Sequence, residues 1–161
     1  MKIRIRQIKE EDNFALANII REVFMEHDAP QKGTVYSDPS TDNLYGLFQI
    51  PKSILLVAEI NNRIVGCCGI YPTNGLNENC VELVKFYLTR DARGKGIGKE
   101  LMQKCIHSAR EFGYTQIYLE SLPQFSKAVS IYEKQGFVRL NNPLGNSEHT
   151  TCNIWMLKNL N

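Results

Sequence analysis

The 161-residue chain has no CxxC pair, no apolar run approaching the length of a membrane span, no internal repeat and no low-complexity tract. Each absence removes a class of function. The five cysteines (Cys67, Cys68, Cys80, Cys105, Cys152) are an odd number scattered through apolar patterns, which argues against both a zinc site and a disulfide framework. They read as small core residues in a reducing compartment, with no metal expected. The start, Met1-Lys2-Ile3-Arg4-Ile5-Arg6, lacks the apolar core of a signal peptide, so a soluble, cytoplasmic protein without a membrane partner is the expectation. Charge of one sign is also scarce. The net charge is only +2, leaving no nucleic-acid footprint at the level of the whole chain.

What is present fits an ordinary globular domain. Hydrophobic residues make up 43% and charged residues 22%, and the length suits one domain over residues 1–161. Lys2–Ile8 alternates with period two, as an edge-like strand does. Glu10–Glu26 places Phe14, Ala17, Ile20, Val23 and Phe24 at helical spacing, and His27-Asp28-Ala29-Pro30 stops it. From Gln31 to Pro51 the chain is irregular, with a turn into a short helix near Ser37–Asp42; such excursions are where small-molecule specificity usually lies. Ser53–Ile60 and Arg63–Tyr71 form a hairpin across Asn61-Asn62, with a bulge or close backbone approach expected at Gly66 and Gly69. Cys80–Leu88 pairs antiparallel with Arg63–Tyr71. A helix ending near Phe112-Gly113 follows, then a strand, Thr115–Glu120, parallel to the one before the helix. A second helix spans Pro123 to Gln135, and Phe137–Leu140 and Cys152–Leu157 are the last strands.

The chain is organised around Leu88-Thr89-Arg90-Asp91-Ala92-Arg93-Gly94-Lys95-Gly96-Ile97-Gly98-Lys99, where an apolar strand turns into an amphipathic helix. Unpaired N–H groups and the positive end of the helix dipole emerge there, and glycine lets an anion come close to the backbone. Arg93, Lys95 and Lys99 add positive charge, so the stretch reads as a phosphate or pyrophosphate site. A Walker loop fails twice, at Arg93 and Glu100, and the dinucleotide fingerprint fails at Lys99.

What matches is Arg-x-x-Gly-x-Gly over Arg93, Gly96 and Gly98. Together with Ala128-x-x-x-Tyr132-x-x-x-Gly136-Phe137, a tyrosine-bearing helix that stops at Gly-Phe, this resembles the GNAT superfamily of N-acetyltransferases. The order of elements agrees over nearly the whole chain. The resemblance implies an α/β (α+β) GNAT fold: a mixed, mostly antiparallel sheet of about seven strands flanked by about four helices, splayed between the fourth and fifth strands. It implies acetyl-CoA as co-substrate and an amine of a small molecule or peptide as acceptor, attacked directly in a ternary complex. A non-catalytic acyl-CoA sensor of the same fold is the alternative.

By that resemblance the pantetheine arm lies along Phe86, Tyr87 and Leu88 in the splay, with the Leu88 N–H as oxyanion donor. Residues Gly94, Lys95, Gly96, Ile97, Gly98 and Lys99 hold the pyrophosphate, beside Arg93. Relatives often carry a coenzyme-contacting asparagine seven residues before the tyrosine; here Phe125 stands there, so either Ser126 or Lys127 substitutes or the contact is absent. Tyr132 is the candidate general acid for the leaving sulfur. Glu82 is the candidate base: a carboxylate in an apolar strand is costly unless paired or used, and partial desolvation would raise its pKa. It also stands eleven residues before Arg93, the spacing of the base in the family's histone-acetylating branch. The alternative for Glu82 is an exposed side chain pairing with Lys85 or with a neighbouring strand. His27, His107 and His149 are weaker candidates, and the exposed edges Phe137–Leu140 or Cys152–Leu157 offer a route to a homodimer.

Overall fold

A computed structural model describes residues 1–146 and 151–160. His149 lies outside them. Seven strands, β1 (Ile3–Gln7), β2 (Ile54–Ile60), β3 (Arg63–Tyr71), β4 (Cys80–Leu88), β5 (Gln116–Ser121), β6 (Val138–Leu140) and β7 (Ile154–Asn159), form one sheet in the order β1-β2-β3-β4-β5-β7-β6. β1 (Ile3–Gln7) pairs antiparallel with β2 (Ile54–Ile60), and β2 with β3 (Arg63–Tyr71) across Asn61 and Asn62, at φ 50° and 67°. Such positive angles are what a tight hairpin turn demands, and Asn tolerates them. β4 (Cys80–Leu88) continues the antiparallel meander. The third strand needs its glycine at Gly66: an added Cβ would lie 2.4 Å from the Tyr87 carbonyl oxygen and 2.5 Å from Leu88 Cδ2.

Helices cover both faces. On one side α1 (Asn13–Glu26) and α2 (Leu44–Leu47) bury Leu16, Ile20, Phe24 and Leu44 against Val57 and Cys67. On the other, α3 (Ile97–Glu111) and α4 (Ser126–Lys134) pack Leu101, Met102, Cys105 and Val129 against Leu56, Val65 and Val81. Each fully buried Leu or Met contributes about 1.5–3 kcal/mol by leaving water. Before α1, Glu10–Asp12 is a 3-10 turn rather than α-helix, because Asp12 turns back to accept the Lys9 N–H (2.8 Å) and to pair with Arg6 (2.8 Å).

Two expectations need correction. Phe14 is 78% exposed; the buried stripe of α1 runs through Leu16, Ile19 and Ile20 instead, so a hydrophobe at helical spacing stands outside the core. Phe14→Ser should therefore shift the urea unfolding free energy by less than about 0.5 kcal/mol. The last strand, β7 (Ile154–Asn159), is not an edge. It lies between β5 (Gln116–Ser121) and β6 (Val138–Leu140), with both its sides paired. Only β6, three residues long with Val138 exposed, forms the sheet margin on that side. Among the described residues no helix is long and apolar enough to cross a membrane.

Candidate active site

β4 and β5 run parallel, but the ladder covers only Cys80↔Gln116, Val81↔Ile117 and Glu82↔Tyr118. Beyond Glu82 the strands part. β4 stays with β3 as far as Leu88, while β5 stays with β7, and a cleft of about 620 Å³ opens between them. A bulge in β4 lies at the parting, where the register with β3 slips and Lys85 adopts φ 57°. Bulges bend and twist a strand locally, which turns the end of β4 away from β5.

At the outer end of the cleft, a 3-10 turn (Arg90–Ala92) leads into the glycine loop. Gly94 and Gly96 sit at φ 75° and 80° with open space where a Cβ would be. Gly96 caps α3, and the first helical bond is Glu100 N–H to Gly96 O (3.1 Å). The N–H groups of Ile97, Gly98 and Lys99 therefore have no partner within the helix and point toward its positive pole. Lys95 and Lys99 are exposed beside them. Only the backbone of Ile97 is available, since its side chain is core. Gly98 packs α3 onto β4, its absent Cβ 3.1 Å from the Phe86 ring and 3.3 Å from Leu88.

Arg93 lines the cleft. Its guanidinium is paired with Glu26 at the end of α1 and donates to the Leu88 carbonyl (2.9 Å), so it also braces the loop. The same bond orients the strand. Thr89 N–H bonds Val65 O on β3, so by alternation the Leu88 N–H and C=O face away from β3, toward the cleft.

The side chains along the cleft divide by face. Phe86 and Leu88 join the α3–α4 core, and the Phe86 ring lies 5.8 Å from that of Tyr132. Tyr87 faces the other way, with Phe24 (5.9 Å) and Phe125 (6.4 Å). Phe125, in the position where the resemblance places an amide, closes this aromatic cluster and lines the cleft together with Ser126 and Lys127 of the first turn of α4. Tyr132 is buried, and its hydroxyl makes no hydrogen bond among the described residues. Burial pushes its pKa well up, with small additions from Cys68 and Cys152, so it holds its proton throughout the neutral range.

Glu82 is buried (4%) at the inner end of the cleft and does not pair with Lys85. Its Oε1 accepts from Thr73 Oγ1 (2.5 Å). Burial raises its pKa from 4.5 to about 7, with Glu120 pushing the same way and the Thr73 bond and Lys85 opposing. Lys85 is itself buried on the cleft wall, a residue that the strand pattern does not single out as part of the site. No sequence signal marks a bulge at a lysine, and without the bulge Lys85 would share the face of Leu83.

The weaker candidates fall away from the reacting region or act structurally. His107 is on the exposed side of α3 beside Glu111 (3.2 Å). His27 lines the cleft, but its ring nitrogen engages the Val23 carbonyl (3.0 Å) and its face meets Phe125 (5.4 Å). Among the described residues no group of three or more His, Cys, Asp or Glu could hold a metal ion. All five cysteines are free, four of them buried.

Residues 21–137 match the acetyltransferase (GNAT) family. The chain belongs to that family. This GNAT member is 34% identical over 157 residues to the uncharacterized N-acetyltransferase YjgM of Escherichia coli, covering 97% of this chain and 94% of that protein. It is 30% identical over 87 residues to human N-acetyltransferase 8B, covering 53% of this chain but only 38% of the human protein. In fold it is similar to a GNAT-family acetyltransferase from Staphylococcus aureus Mu50 (TM-score 0.88, 23% identity, 99% and 100% of the two chains). It is also similar to the PaiA N-acetyltransferase of Thermoplasma acidophilum in complex with coenzyme A (TM-score 0.78, 21% identity, 99% of each chain). The seven-stranded mixed sheet with its β4/β5 splay is the GNAT fold.

Proposed function

We propose that this GNAT member is an N-acetyltransferase that moves the acetyl group of acetyl-CoA to the primary amine of a small molecule or peptide, by direct attack in a ternary complex. One observation carries the reading: a single cleft runs from Arg90 and Arg93, in the turn that leads into the open N-terminus of α3, to Glu82, a carboxyl whose pKa burial raises to about 7. The open cradle over Gly94 and Gly96 fits a diphosphate, held by the N–H groups of residues 96–99 with Lys95 and Lys99 outside it. Ser126 and Lys127 flank the same groove.

Acetyl-CoA, when bound, supplies an activated thioester carbonyl. The residues of this chain do the rest. An alkylamine has a pKa of about 10.4 and must lose a proton to attack, and Glu82, about half ionised at pH 7, accepts it directly or through water. The cleft-facing Leu88 N–H meets the charge that grows on the carbonyl oxygen. Tyr132, still protonated, gives its proton to the departing sulfur. Phe86 and Tyr87 line the path with apolar surface that excludes water.

The test is release of free thiol from acetyl-CoA in the presence of amino acids, polyamines, peptides or aminoglycosides. Turnover should require an amine, and Tyr132→Phe should lower kcat about 100-fold while leaving the KM for acetyl-CoA within about twofold. Tight coenzyme binding with no amine-dependent thiol release would defeat the enzyme reading and leave the sensor.

A further inference from the structure

The inner end of the cleft holds a cation that the proposed chemistry does not use. Lys85 keeps 6% of its exposure and lines the cleft wall next to Glu82, yet its Nζ forms no hydrogen bond or ion pair with any described residue. The stem of Lys85 is buried while the residue lines the open cleft, so an anion bound in the cleft could pair with its ammonium in place of water. Burial depresses its pKa, while Asp38, Glu82 and Cys67 sustain its charge. Its placement follows from the bulge. Val84 and Tyr87 face the α1 side and Leu83, Phe86 and Leu88 the α3 side, so an extra residue is inserted between them. An unbulged strand would turn Lys85 with Leu83 into the α3 core.

Glu82 and Lys85 feel each other's charge but do not touch at ion-pair distance. They are three residues apart, about 10 Å of strand before the bulge shortens it, and both have side chains long enough to converge on one small molecule. Two opposite charges held apart in one cleft match a ligand that carries both signs close together. Resting on the proposed transferase reading, we infer that the acceptor is a free α-amino acid or a close amino-acid-like zwitterion, with its amine presented to Glu82 and its carboxylate paired with Lys85. A plain polyamine would leave Lys85 unpaired and bring a second cation against it. The covalent step is unchanged: the N–C bond forms as the C–S bond breaks, the amine proton passes to Glu82, and the sulfur receives the Tyr132 proton.

The experiment compares L-amino acids with their own carboxamides as acceptors for the full chain and acetyl-CoA. The best acceptor should be an acid whose KM is at least about 10-fold below that of its amide. Lys85→Met should raise the KM for the acid by at least about 10-fold and that for the amide by less than about twofold, while any change in kcat, which follows from the loss of a charge that holds the Glu82 pKa down, should be the same for both acceptors. Lys85→Arg should restore the preference for the acid, and the thermal midpoint of Lys85→Met should not fall. If Lys85→Met does not fold, the acid-to-amide ratio of the unsubstituted protein decides. Equal use of acid and amide, or an equal rise in the KM of both in Lys85→Met, overturns the inference while amine acetylation stands. Turnover with no amine at all overturns the transferase reading and this inference with it.

Discussion

Glu82→Gln should lower kcat by a factor of about 10²–10⁴ and abolish the rise in kcat/KM centred near pH 7. Glutamine matches the shape of the side chain and still reaches Thr73, so the loss would reflect the missing basicity rather than a collapsed cleft. The same carboxyl leaves a thermodynamic mark. Its folded pKa, about 7, lies above the ordinary 4.5, so the folded state holds a proton that the unfolded chain has already released. The stability this contributes is fully present below about pH 4.5 and is lost as pH rises through about 7. The shift corresponds to roughly 3 kcal/mol. Asp12, Glu26, Asp42 and Asp91 have lowered pKa values and act at more acid pH, so comparison with Glu82→Gln isolates the share of the 4.5–7 window that Glu82 contributes. Urea midpoints should fall across that window in the parent and stay flatter in Glu82→Gln. An unchanged pH–rate limb in the variant would remove Glu82 as the base.

Gly66→Val should destabilise the fold by more than about 3 kcal/mol, lowering the thermal midpoint by roughly 6–12 °C. The atoms in the way are the Tyr87 carbonyl oxygen and Leu88 Cα of the adjacent strand, which cannot swing aside as a flexible side chain would. Relief requires β3 and β4 to separate at the residue whose N–H faces the cleft, so activity should fall beyond the loss of folded protein. Gly94→Ala is the contrast. It meets only backbone strain at φ 75°, with nothing within 4 Å of the new methyl, and should cost about 1 kcal/mol. A Gly66→Val protein as stable as Gly94→Ala would mean that the β3–β4 register is looser than the Gly66 contacts imply.

Much of this is legible in the sequence because local physics and tertiary packing agree. The two-residue Asn turn, the glycine-rich helix start and the apolar stripe of α3 each admit few conformations, and they stand where periodicity and turn chemistry place them. A carboxylate amid Val81, Leu83 and Val84 marks an unusual environment for Glu82 from the residue pattern alone. What escapes depends on partners distant in sequence. Arg93 is legible as a loop cation, but its pairing with Glu26, far back along the chain, is not. The exposure of Phe14 follows from the turn of α1 itself, which at 3.6 residues per turn sets Phe14 about 120° around the helix from Ile20 and off the buried stripe. The bulge at Lys85 comes from a register conflict between β3 and β4, and no residue at that point favours a positive φ. The place of β7 follows from sheet order, which adjacency in the chain does not reveal.

That order bears on how the protein is made. β5 is synthesised well before β7, and β7 is the strand that covers the flank of β5 turned away from β4. Until Asn159 has left the ribosome tunnel, a nascent chain holds the wall of its own cleft as a naked ribbon, with β6 waiting unattached. Assembly of that half of the sheet thus waits for β7, and a chain cut off before Ile154 would leave the flank of β5 open to pairing with its neighbours.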